Sequence, residues 1–595
     1  MTSIAVIAVS PAGEAVARRI AALLPGARLH GRRGRVDACD EPFDDTVSHL
    51  RRLFAAGTGI VGVCSAGILI RALAPLLNDK TAEPPVLAVS ADGASLLPLL
   101  GGHHGANRLA AVLAEGLGGH AALTTAGDVA LGLALDEPPA GWRVANPEAA
   151  KAVAAALLAG EPVRLTVERG DAGWLTAPGL GDHGRLSLRV TDRLAMAGEL
   201  TLHPPVLALG VGCERDTDPA ELIALAEQCL AEAGLAAGAV ACVASLELKA
   251  DEPAVHALAA HLGVAARFFT AAALEAEFPR LATPSAVVFR ETGCHGVAEG
   301  AALAAAGAAG QLLLAKRKSA RATCAIAGAA SAIDPARTGR RRGRLSVIGI
   351  GPGDAAWRTN EVDRILAEAT DLVGYRLYLD LLGSAVDGKA RHDGAMGAEE
   401  DRTRQALDLA AEGRHVALVC SGDAGIYALA TLVFELMERE NRPDWNRLEI
   451  TVSPGVSALQ AASARAGAMI NHDFCTISLS DLLTPWPVIE ARVRAAAEGD
   501  FVIAFYNPVS LRRRRQLPEA LAILAAHRPP ATPVVIARNL GRPGEVVRIT
   551  TLAGLDLAEI DMLTIVLVGN SETRIMERGQ QRRVFTPRGY AGKQR

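Results

Sequence analysis

The sequence predicts a multidomain α/β protein, and two observations support this prediction. Short β-branched runs alternate with Ala- and Leu-rich helical stretches along the whole chain, at residues 3–9, 59–63, 206–210, 346–350, 415–420 and 564–568. Such alternation is typical of parallel sheets covered by helices. The chain has 595 residues, which is too many for one hydrophobic core.

Three interruptions of this pattern divide the chain. Two prolines and a glycine stand within residues 136–141, a Pro-Pro pair stands at 204–205, and an arginine-rich stretch without apolar periodicity covers 331–344. We therefore expect an N-terminal α/β domain, a middle region, a second α/β domain, a linker and a C-terminal domain, at 1–140, 141–203, 204–328, 329–343 and 344–595. Because the chain as a whole is acidic, the linker arginines are interpreted as solvated.

Composition and charge exclude several classes of function. Lys plus Arg total 61 and Asp plus Glu total 65, so the net charge of −4 predicts no nucleic-acid partner. Nine cysteines without a C-x-x-C pair indicate neither a disulfide framework nor a thiolate zinc site, and no metal is expected. No basic leader and no apolar run of membrane-spanning length are present, so we expect a cytoplasmic protein without a membrane partner.

The C-terminal domain opens with a strand that runs into Gly349-Ile-Gly-Pro-Gly-Asp354. A glycine-rich turn after a strand lets the backbone approach a ligand closely. A dinucleotide loop is disfavoured, because Asp354 stands where the third glycine belongs and Pro352 lacks an amide for a phosphate. A run of arginines at 512–515 predicts either a solvated helix start or a site that binds the carboxylates of a substrate.

The further motifs of this domain form an ordered set: GYRLY at 374–378, VCSGDAGIY at 419–427, SPGVS at 453–457, NHDF at 471–474, FYNP at 505–508, VVIARNLGRP at 534–543 and DMLTIVLVG at 561–569. Together they resemble the tetrapyrrole methylase family, and most of all its precorrin-3B C-17-methyltransferases, over about residues 344–577. This resemblance implies two α/β lobes with a cleft between them, usually in a homodimer that works beside other cobalamin-pathway enzymes.

The resemblance also implies the ligands. S-adenosylmethionine is expected in the cleft beside a precorrin macrocycle. Tyr375 is expected to contact the macrocycle. The expected cofactor contacts are Pro352, Gly422, Asp423, Ile426, Ser457, Tyr506, Asn539 and Thr564. Ala424 departs from the proline that the family often has after the aspartate. Methylation at C-17 is coupled in this family to contraction of the macrocycle, which needs a base for the C-20 hydroxyl. The sequence offers two candidates for that base, Asp354 and His392.

The N-terminal 328 residues carry a different set of motifs. AGILIRALAPLL at 66–77, ASLELKADEPAV at 244–255 and ETGCHGVAEGAAL at 291–303 resemble the CbiG family of cobalamin biosynthesis proteins, and residues 207–326 also resemble CobE. CbiG-like proteins open the lactone of a contracted cobalt-precorrin, and a two-carbon fragment then leaves as acetaldehyde. We expect His103 and Asn107 to act in this chemistry, and Arg71, Arg215 and Lys249 to bind substrate carboxylates.

Two departures from the CbiG pattern leave this function open. The histidine loop GGHHGAN at 101–107 is one residue shorter than the family's, and Gly127 replaces a threonine in TTAGD at 124–128. His103 and His104 are not expected to share a metal, because adjacent histidines rarely point at one ion. A packed cysteine beside a loop histidine is favoured over a catalytic Cys294–His295 pair.

The two halves together predict a bifunctional corrin-biosynthesis enzyme. The alternative is a methyltransferase fused to a non-catalytic module that binds and hands on the intermediate. The sequence leaves open whether the substrate carries cobalt.

Overall fold

The computed structural model of the protein describes residues 4–24, 26–37, 39–78, 83–123, 133, 135, 138–395, 397–510 and 512–590, without the side chain of His103. The chain divides into two compact units, Met1–Arg341 and Arg342–Arg595. The predicted multidomain α/β class is confirmed, since both units are built on sheets with covering helices. Within the described ranges, no helix is both long and apolar enough to cross a membrane.

The first sheet of the N-terminal unit has the strand order Glu41–Phe43, Arg28–Arg32, Ile4–Ala8, Gly59–Val63, Val86–Val89, Ser95–Leu100 and His120–Ala121. The first five strands run parallel, and the sixth is antiparallel to the fifth. The accompanying helices are Pro11–Leu23, Thr46–Ala55, Ala66–Leu73 and Ala106–Leu117. The chain proceeds in opposite directions from the two neighbouring strands Ile4–Ala8 and Gly59–Val63, which makes their carboxyl ends a topological switch point.

Two further sheets complete this unit. The second has the order Leu180–Gly181, Val163–Val167, Leu186–Val190, Leu200–His203 and Arg143–Val144, with helix Pro147–Leu158. The third has the order Ala265–Phe269, Val240–Leu246, Leu207–Cys213, Ala322–Gly328 and Gln311–Lys318. Its helices are Pro219–Ala233, Pro253–Leu262, Ala271–Glu275, Ala286–Thr292 and Val297–Ala306. Val240–Leu246 is buried at every position, as expected for a strand covered on both faces.

The segment predicted as a linker is attached to this third sheet by backbone hydrogen bonds. Arg340 and Phe268 exchange two of them at 2.8 Å, and Ile333 donates to Pro205 at 2.8 Å. Arg267 donates to the carbonyls of Thr338 and Gly339. Part of the segment therefore packs against the N-terminal unit.

The C-terminal unit holds two larger sheets and a small one. The first is fully parallel, in the order Ala390–Gly394, Asp371–Tyr375, His415–Cys420, Arg344–Gly349 and Glu449–Ser453. The second has the order Phe474–Ser478, Val502–Tyr506, Thr564–Val568, Pro533–Arg538 and Val546–Thr551, and the small one Gly467–Ala468, Gln581–Phe585 and Arg574–Arg578. The helices are Asn360–Glu368, Arg376–Asp380, Glu399–Ala411, Ala430–Glu440, Ala458–Ala466, Trp486–Glu498 and Gln516–Ala525.

Helix ends follow the local chemistry of the sequence. Ser457 begins its helix with a capping box to Gln460, and Thr359 accepts the amide of Val362 at the start of helix Asn360–Glu368. Helix Pro219–Ala233 has a proline at its first position and ends at a left-handed glycine. These signals position the loops that follow the strands, and the candidate site is made of such loops.

Candidate functional site

Three loops of the C-terminal unit meet beyond the carboxyl ends of three neighbouring parallel strands. They follow Arg344–Gly349, His415–Cys420 and Glu449–Ser453, which are adjacent in the first sheet of this unit. Ligands of open α/β sheets bind at this edge, where strand ends leave backbone exposed. Each of the three loops contains a glycine motif that the sequence analysis selected.

The glycines of these loops allow backbone-to-backbone packing. A Cβ added at Gly455 would stand 2.1 Å from the Gly422 carbonyl oxygen, and one at Gly349 would stand 2.5 Å from the same atom. Gly351 and Gly422 exchange backbone hydrogen bonds at 3.1 and 2.8 Å. Gly422 has a φ of +70°, and a Cβ there would approach no neighbour closer than 3.8 Å. The three loops are therefore fixed to each other, while a Cβ at Gly422 would make only ordinary van der Waals contact with Ser457 and Ala458.

Asp423 connects two of the loops through its carboxylate. One oxygen accepts the amide of Gly425 at 2.8 Å, and the other accepts the amide of Gly455 at 3.0 Å. The side chain is half-buried, and Ala424 behind it is fully buried. Each oxygen retains a lone pair, so Asp423 can hold the loops and still accept a hydrogen bond from a ligand.

Ser457 and Tyr506 connect the two larger sheets of the unit. The Ser457 hydroxyl lies 2.6 Å from the Tyr506 hydroxyl, which also accepts the Leu459 amide at 3.2 Å. Burial raises the pKa of Tyr506 above its usual value, so the phenol stays protonated. The exposed ring of Tyr427 lies 5.2 Å from that of Tyr506. Two residues predicted to touch the cofactor are thus in direct contact.

Arg542 is a functional candidate that the sequence analysis did not select. Its Nε donates to the Pro352 carbonyl at 2.8 Å, and Nη2 donates to the Ser421 hydroxyl at 2.9 Å. Burial lowers the pKa of Arg542. The residue follows strand Pro533–Arg538, so it joins the second sheet to two loops of the first. Its only sequence signal is its place in the Gly-Arg-Pro turn after a predicted strand.

Three further predicted cofactor residues are distributed around this site. Asn539 has a φ of +52° directly after strand Pro533–Arg538. Thr564 is buried and donates to Asp561 at 2.7 Å, so its hydroxyl serves the local turn. Ile426 is half-buried in the loop that carries Asp423.

Tyr375 and Asp354 also lie at this edge of the first sheet. Tyr375 ends strand Asp371–Tyr375, and its ring packs edge-on against Tyr378 at 5.3 Å. Asp354 is exposed and caps a short turn through the Ala356 amide at 2.8 Å. A Cβ added at Gly541 of the second lobe would stand 3.0 Å from the Asp354 nitrogen.

The structure separates His392 from these loops. The Nε2 atom of His392 lies 2.9 Å from the carboxylate of Asp371, which is the first residue of strand Asp371–Tyr375 and so stands at the amino end of that strand. The glycine loops follow the opposite, carboxyl ends of the strands. Arg414 donates to the same carboxylate oxygen at 3.0 Å. Although desolvation opposes it, hydrogen bonds from His392, Thr370 and Arg414 lower the pKa of Asp371. This arrangement gives His392 a place in a part-buried polar cluster with Asp371 and Arg414 at the opposite edge.

The arginine run at 512–515 has two environments. Arg513 is buried and donates to Ser480 at 3.2 Å and to the Asn507 carbonyl at 2.9 Å. Arg512, Arg514 and Arg515 are exposed. Arg513 therefore fixes the turn and Arg515 pairs with Glu519 at 3.1 Å, while Arg512 and Arg514 face solvent.

The N-terminal unit contains a cavity of about 440 Å³ at the switch point of its first sheet. Residues that follow three adjacent strands line it, among them Ser10, Cys64, Ser65 and Ser90. Burial raises the pKa of the Cys64 thiol to about 11, so this thiol stays protonated near neutral pH. Cys64 is not among the predicted site residues, although the pattern of a strand followed by small residues at 59–66 indicates a loop of this kind.

The predicted residues of the histidine loop lie at the start of helix Ala106–Leu117. A short turn covers 102–104 between two left-handed glycines, and a Cβ at Gly102 would stand 3.9 Å from the Asn107 amide nitrogen. The side chain of His103 and the TTAGD motif at 124–128 lie outside the described residues. Arg71 is exposed in the last turn of helix Ala66–Leu73. The roles predicted for His103, Asn107 and Arg71 therefore remain predictions.

Arg215 and Lys249 are brought together around the buried carboxylate of Glu252. Lys249 lies 3.4 Å and Arg215 3.6 Å from that carboxylate, and Arg215 also pairs with Asp251 at 2.7 Å. Both cations are thus already paired with protein carboxylates. Over the residues that the structure describes, no group of three His, Cys, Asp or Glu side chains could hold a metal ion.

Three family models match the chain. They are described as cobalamin synthesis G N-terminal, over residues 48–128, cobalamin synthesis G C-terminus, over 207–327, and tetrapyrrole (corrin/porphyrin) methylases, over 344–556. The first two fall in the N-terminal unit and the third in the C-terminal unit.

Several curated proteins match about two fifths of the chain. The cobalamin biosynthesis protein CobIJ of Mycobacterium bovis is 47% identical over 260 residues, which are 42% of this chain and 50% of that protein. The chain thus spans about half the length of this relative. The precorrin-3B C(17)-methyltransferase of Sinorhizobium is 44% identical over 42% of this chain and 98% of its own. A probable cobalt-factor III C(17)-methyltransferase of Salmonella typhimurium is 45% identical over 41% of this chain and 99% of its own.

Proposed function

The chain belongs to the tetrapyrrole (corrin/porphyrin) methylases, and from this premise we propose that its C-terminal unit methylates a precorrin at C-17 with S-adenosylmethionine. The observation that supports this most directly is the set of three glycine loops, which are fixed to each other by backbone contacts while Gly422 leaves room for a Cβ without a clash. The substrate is precorrin-3B or its cobalt form. When bound, S-adenosylmethionine supplies an electrophilic methyl group.

The chain's own residues position both reactants. Asp423 fixes the loops at 421–427 and 453–457 and offers its free lone pairs to the cofactor's polar groups. Ser457 and Tyr506 keep the second lobe against the first, with Pro352, Ile426, Asn539 and Thr564 completing the cofactor's surroundings. Tyr375 offers an aromatic face to the macrocycle. Holding two reactants in line at near contact can supply about 7–11 kcal/mol of a barrier.

We assign the base for ring contraction to Asp354 rather than to His392. Asp354 is exposed at the same edge as the glycine loops, and one of its oxygens already accepts a backbone amide. The other oxygen can take the proton of the C-20 hydroxyl. His392 is paired with Asp371 at the amino edge of the sheet, where its imidazole stabilises the fold.

The glycine-loop assignment is tested with a matched pair of substitutions. Gly422→Val places a side chain in the proposed cofactor space, whereas Gly388→Val places one in an open loop at nearly the same φ, +72° against +70°. Both variants carry the same backbone strain. We expect Gly422→Val to lower methyl transfer from labelled S-adenosylmethionine to precorrin-3B by about 10²-fold or more, and Gly388→Val to leave it near wild type. Equal activities would refute the assignment.

We propose that the N-terminal unit opens the lactone of a contracted precorrin, after which acetaldehyde is released. The two cobalamin synthesis G matches support this, and a fusion would raise the local concentration of a labile intermediate. The sequence nominates His103 and Asn107 for catalysis, and Arg71, Arg215 and Lys249 for the substrate's carboxylates. A carrier without hydrolytic activity is the competing function. The full-length chain, incubated with a lactone-bearing contracted corrin, distinguishes them: a hydrolase releases acetaldehyde, whereas a carrier binds the substrate without change.

We further propose a homodimer that works beside other cobalamin-pathway enzymes in the cytoplasm. Leu482 and Leu483 are 85% and 98% exposed, and adjacent apolar side chains at such exposure are typical of an interaction surface. All nine cysteines are free, as expected of thiols in a reducing compartment.

A further inference from the structure

One motif of the N-terminal unit takes no part in the functions assigned so far. ETGCHG at 291–296 begins in the last two residues of helix Ala286–Thr292 and continues into the loop after it, in the domain of the third sheet. His295 of this motif contacts Glu275, which ends the helix that directly follows strand Ala265–Phe269. The pair therefore lies beyond the carboxyl edge of the sheet's parallel strands, which is where α/β proteins place their ligand sites.

The carboxylate of Glu275 fixes the imidazole of His295. Its two oxygens lie 2.9 and 3.0 Å from Nδ1, and one of them also accepts the His295 backbone amide at 2.9 Å. Although desolvation opposes it, these bonds from His295 lower the pKa of Glu275. A carboxylate at Nδ1 selects the tautomer with its proton on that nitrogen, so Nε2 is free to accept a proton. Among the described residues, none donates a hydrogen bond to Nε2.

Two partly exposed aromatic rings flank the imidazole. Phe278 lies 4.5 Å and Phe289 4.4 Å from the ring of His295, and the two phenylalanines are 43% and 42% exposed. Side chains of this kind give an apolar face on which a flat conjugated ligand can rest. The side chain of His295 itself is 25% exposed, so solvent water can reach it.

The neighbouring groups support a base and exclude a nucleophile. Cys294 is fully buried with its sulfur 3.4 Å from the Thr292 hydroxyl, and burial raises the pKa of its thiol. Lys316 donates to the Thr283 carbonyl at 3.1 Å, two residues before Ser285, whose amide donates to the His295 carbonyl at 2.8 Å. Lys316 stands in strand Gln311–Lys318 and is linked to the His295 loop only through the segment that holds Thr283 and Ser285.

We infer that His295, oriented by Glu275, is the general base that opens the lactone. This inference rests on the proposed hydrolytic function of the N-terminal unit. Nε2 takes a proton from a water molecule, whose oxygen bonds to the acyl carbon of the lactone. The bond from that carbon to the ring oxygen breaks, and the ring oxygen receives the proton back from the imidazolium. Water is the sole co-reactant, and the products are one carboxyl and one hydroxyl group.

The test compares variants of the full-length chain in release of acetaldehyde from a lactone-bearing contracted corrin. His295→Gln is expected to lower kcat by about 10²-fold or more. The control is His261→Gln, which removes an exposed histidine that also lies 2.8 Å from a glutamate, Glu227, and should keep the wild-type rate. His103→Ala is assayed beside them, because the sequence nominates His103 for the same reaction.

Glu275 is a positioning residue and needs a readout that a folding defect would not reproduce. Glu275→Gln is expected to lower kcat about tenfold at unchanged KM, and Glu275→Asp to recover part of the loss. Phe289→Ala should raise KM more than it lowers kcat. Thermal melts of each variant check that the fold is retained.

The outcomes separate this inference from the function on which it rests. A wild-type chain that binds the corrin but releases no acetaldehyde overturns both the hydrolase and its base. An active wild type together with an active, folded His295→Gln overturns the base alone. Loss of activity in His103→Ala and not in His295→Gln returns the base to the histidine loop.

Discussion

Removal of the Asp423 carboxylate should detach one glycine loop of the methylase site from its neighbour. The side chain accepts two backbone amides, from Gly425 at 2.8 Å and from Gly455 at 3.0 Å. A hydrogen bond to a charged group contributes about 1.5–3 kcal/mol when buried, and less at a half-buried position such as this one. Two such bonds at reduced strength give roughly 2–3 kcal/mol.

Part of this free energy will appear as lost affinity, because the ligand must order the loops as it binds. We expect Asp423→Ala to weaken S-adenosylmethionine binding by about 10- to 100-fold, since each factor of ten corresponds to about 1.4 kcal/mol. Asp423→Asn keeps one carbonyl oxygen and can retain one of the two bonds, so it should lie between Asp423→Ala and wild type.

Isothermal titration calorimetry on the full-length chain measures these affinities directly. Asp556→Ala is the matched control, because Asp556 also caps a turn, through the Ala558 amide at 2.9 Å, but lies on another loop of the same unit. It should bind S-adenosylmethionine like wild type. Unchanged affinity in Asp423→Ala, or an equal loss in Asp556→Ala, would refute the reasoning.

Three further predictions concern stability and assembly. Burial lowers the pKa of His30 from 6.5 to about 4. The neutral imidazole therefore contributes roughly 3 kcal/mol to the free energy of unfolding above pH 6.5, and this contribution is lost as pH falls towards 4. In urea titrations across this range, the free energy of unfolding should depend less on pH in His30→Gln than in wild type, whereas the exposed His183→Gln should behave like wild type. Tyr506→Phe loses the bond to Ser457 and should lower the free energy of unfolding by about 1–2 kcal/mol while weakening cofactor binding, as chemical denaturation and calorimetry would record. Leu483→Asp should convert a dimer to monomers in analytical ultracentrifugation, and an unchanged dimer would exclude this surface.

Much of the methylase site could be predicted because its glycine loops are short sequence motifs that directly follow strands. Gly349, Gly422 and Gly455 each follow a recognisable strand, and a glycine there indicates close approach of backbone to backbone or ligand. Parallel strands place the loops at one edge, so residues far apart in sequence converge. The family motifs then supplied the ligand, which glycine spacing alone does not identify.

Arg542 shows why other parts of the site were missed. The role of Arg542 depends on Pro352 and Ser421, which are 190 and 121 residues away in sequence. A contact of that separation leaves no periodicity and no spacing in the chain. The same limit applies to Glu252, because its burial between Arg215 and Lys249 follows from the way two loops pack.

Two histidine–carboxylate pairs show what decides between a structural and a catalytic role. His392 lies 2.9 Å from Asp371, and His295 lies 2.9 Å from Glu275, so distance does not distinguish them. The Asp371 carboxylate is shared with Arg414, which lies 3.0 Å from it, so its negative charge is already paired with a guanidinium. Glu275 has no arginine or lysine partner among the described residues, and it can stabilise the imidazolium that forms when His295 takes a proton. The first pair lies at the amino edge of its sheet and the second beyond a carboxyl edge, beside exposed aromatic rings. The position of the pair at a carboxyl edge and the absence of an arginine or lysine partner for Glu275 among the described residues therefore favour His295 as the base. Neither property can be read from a sequence.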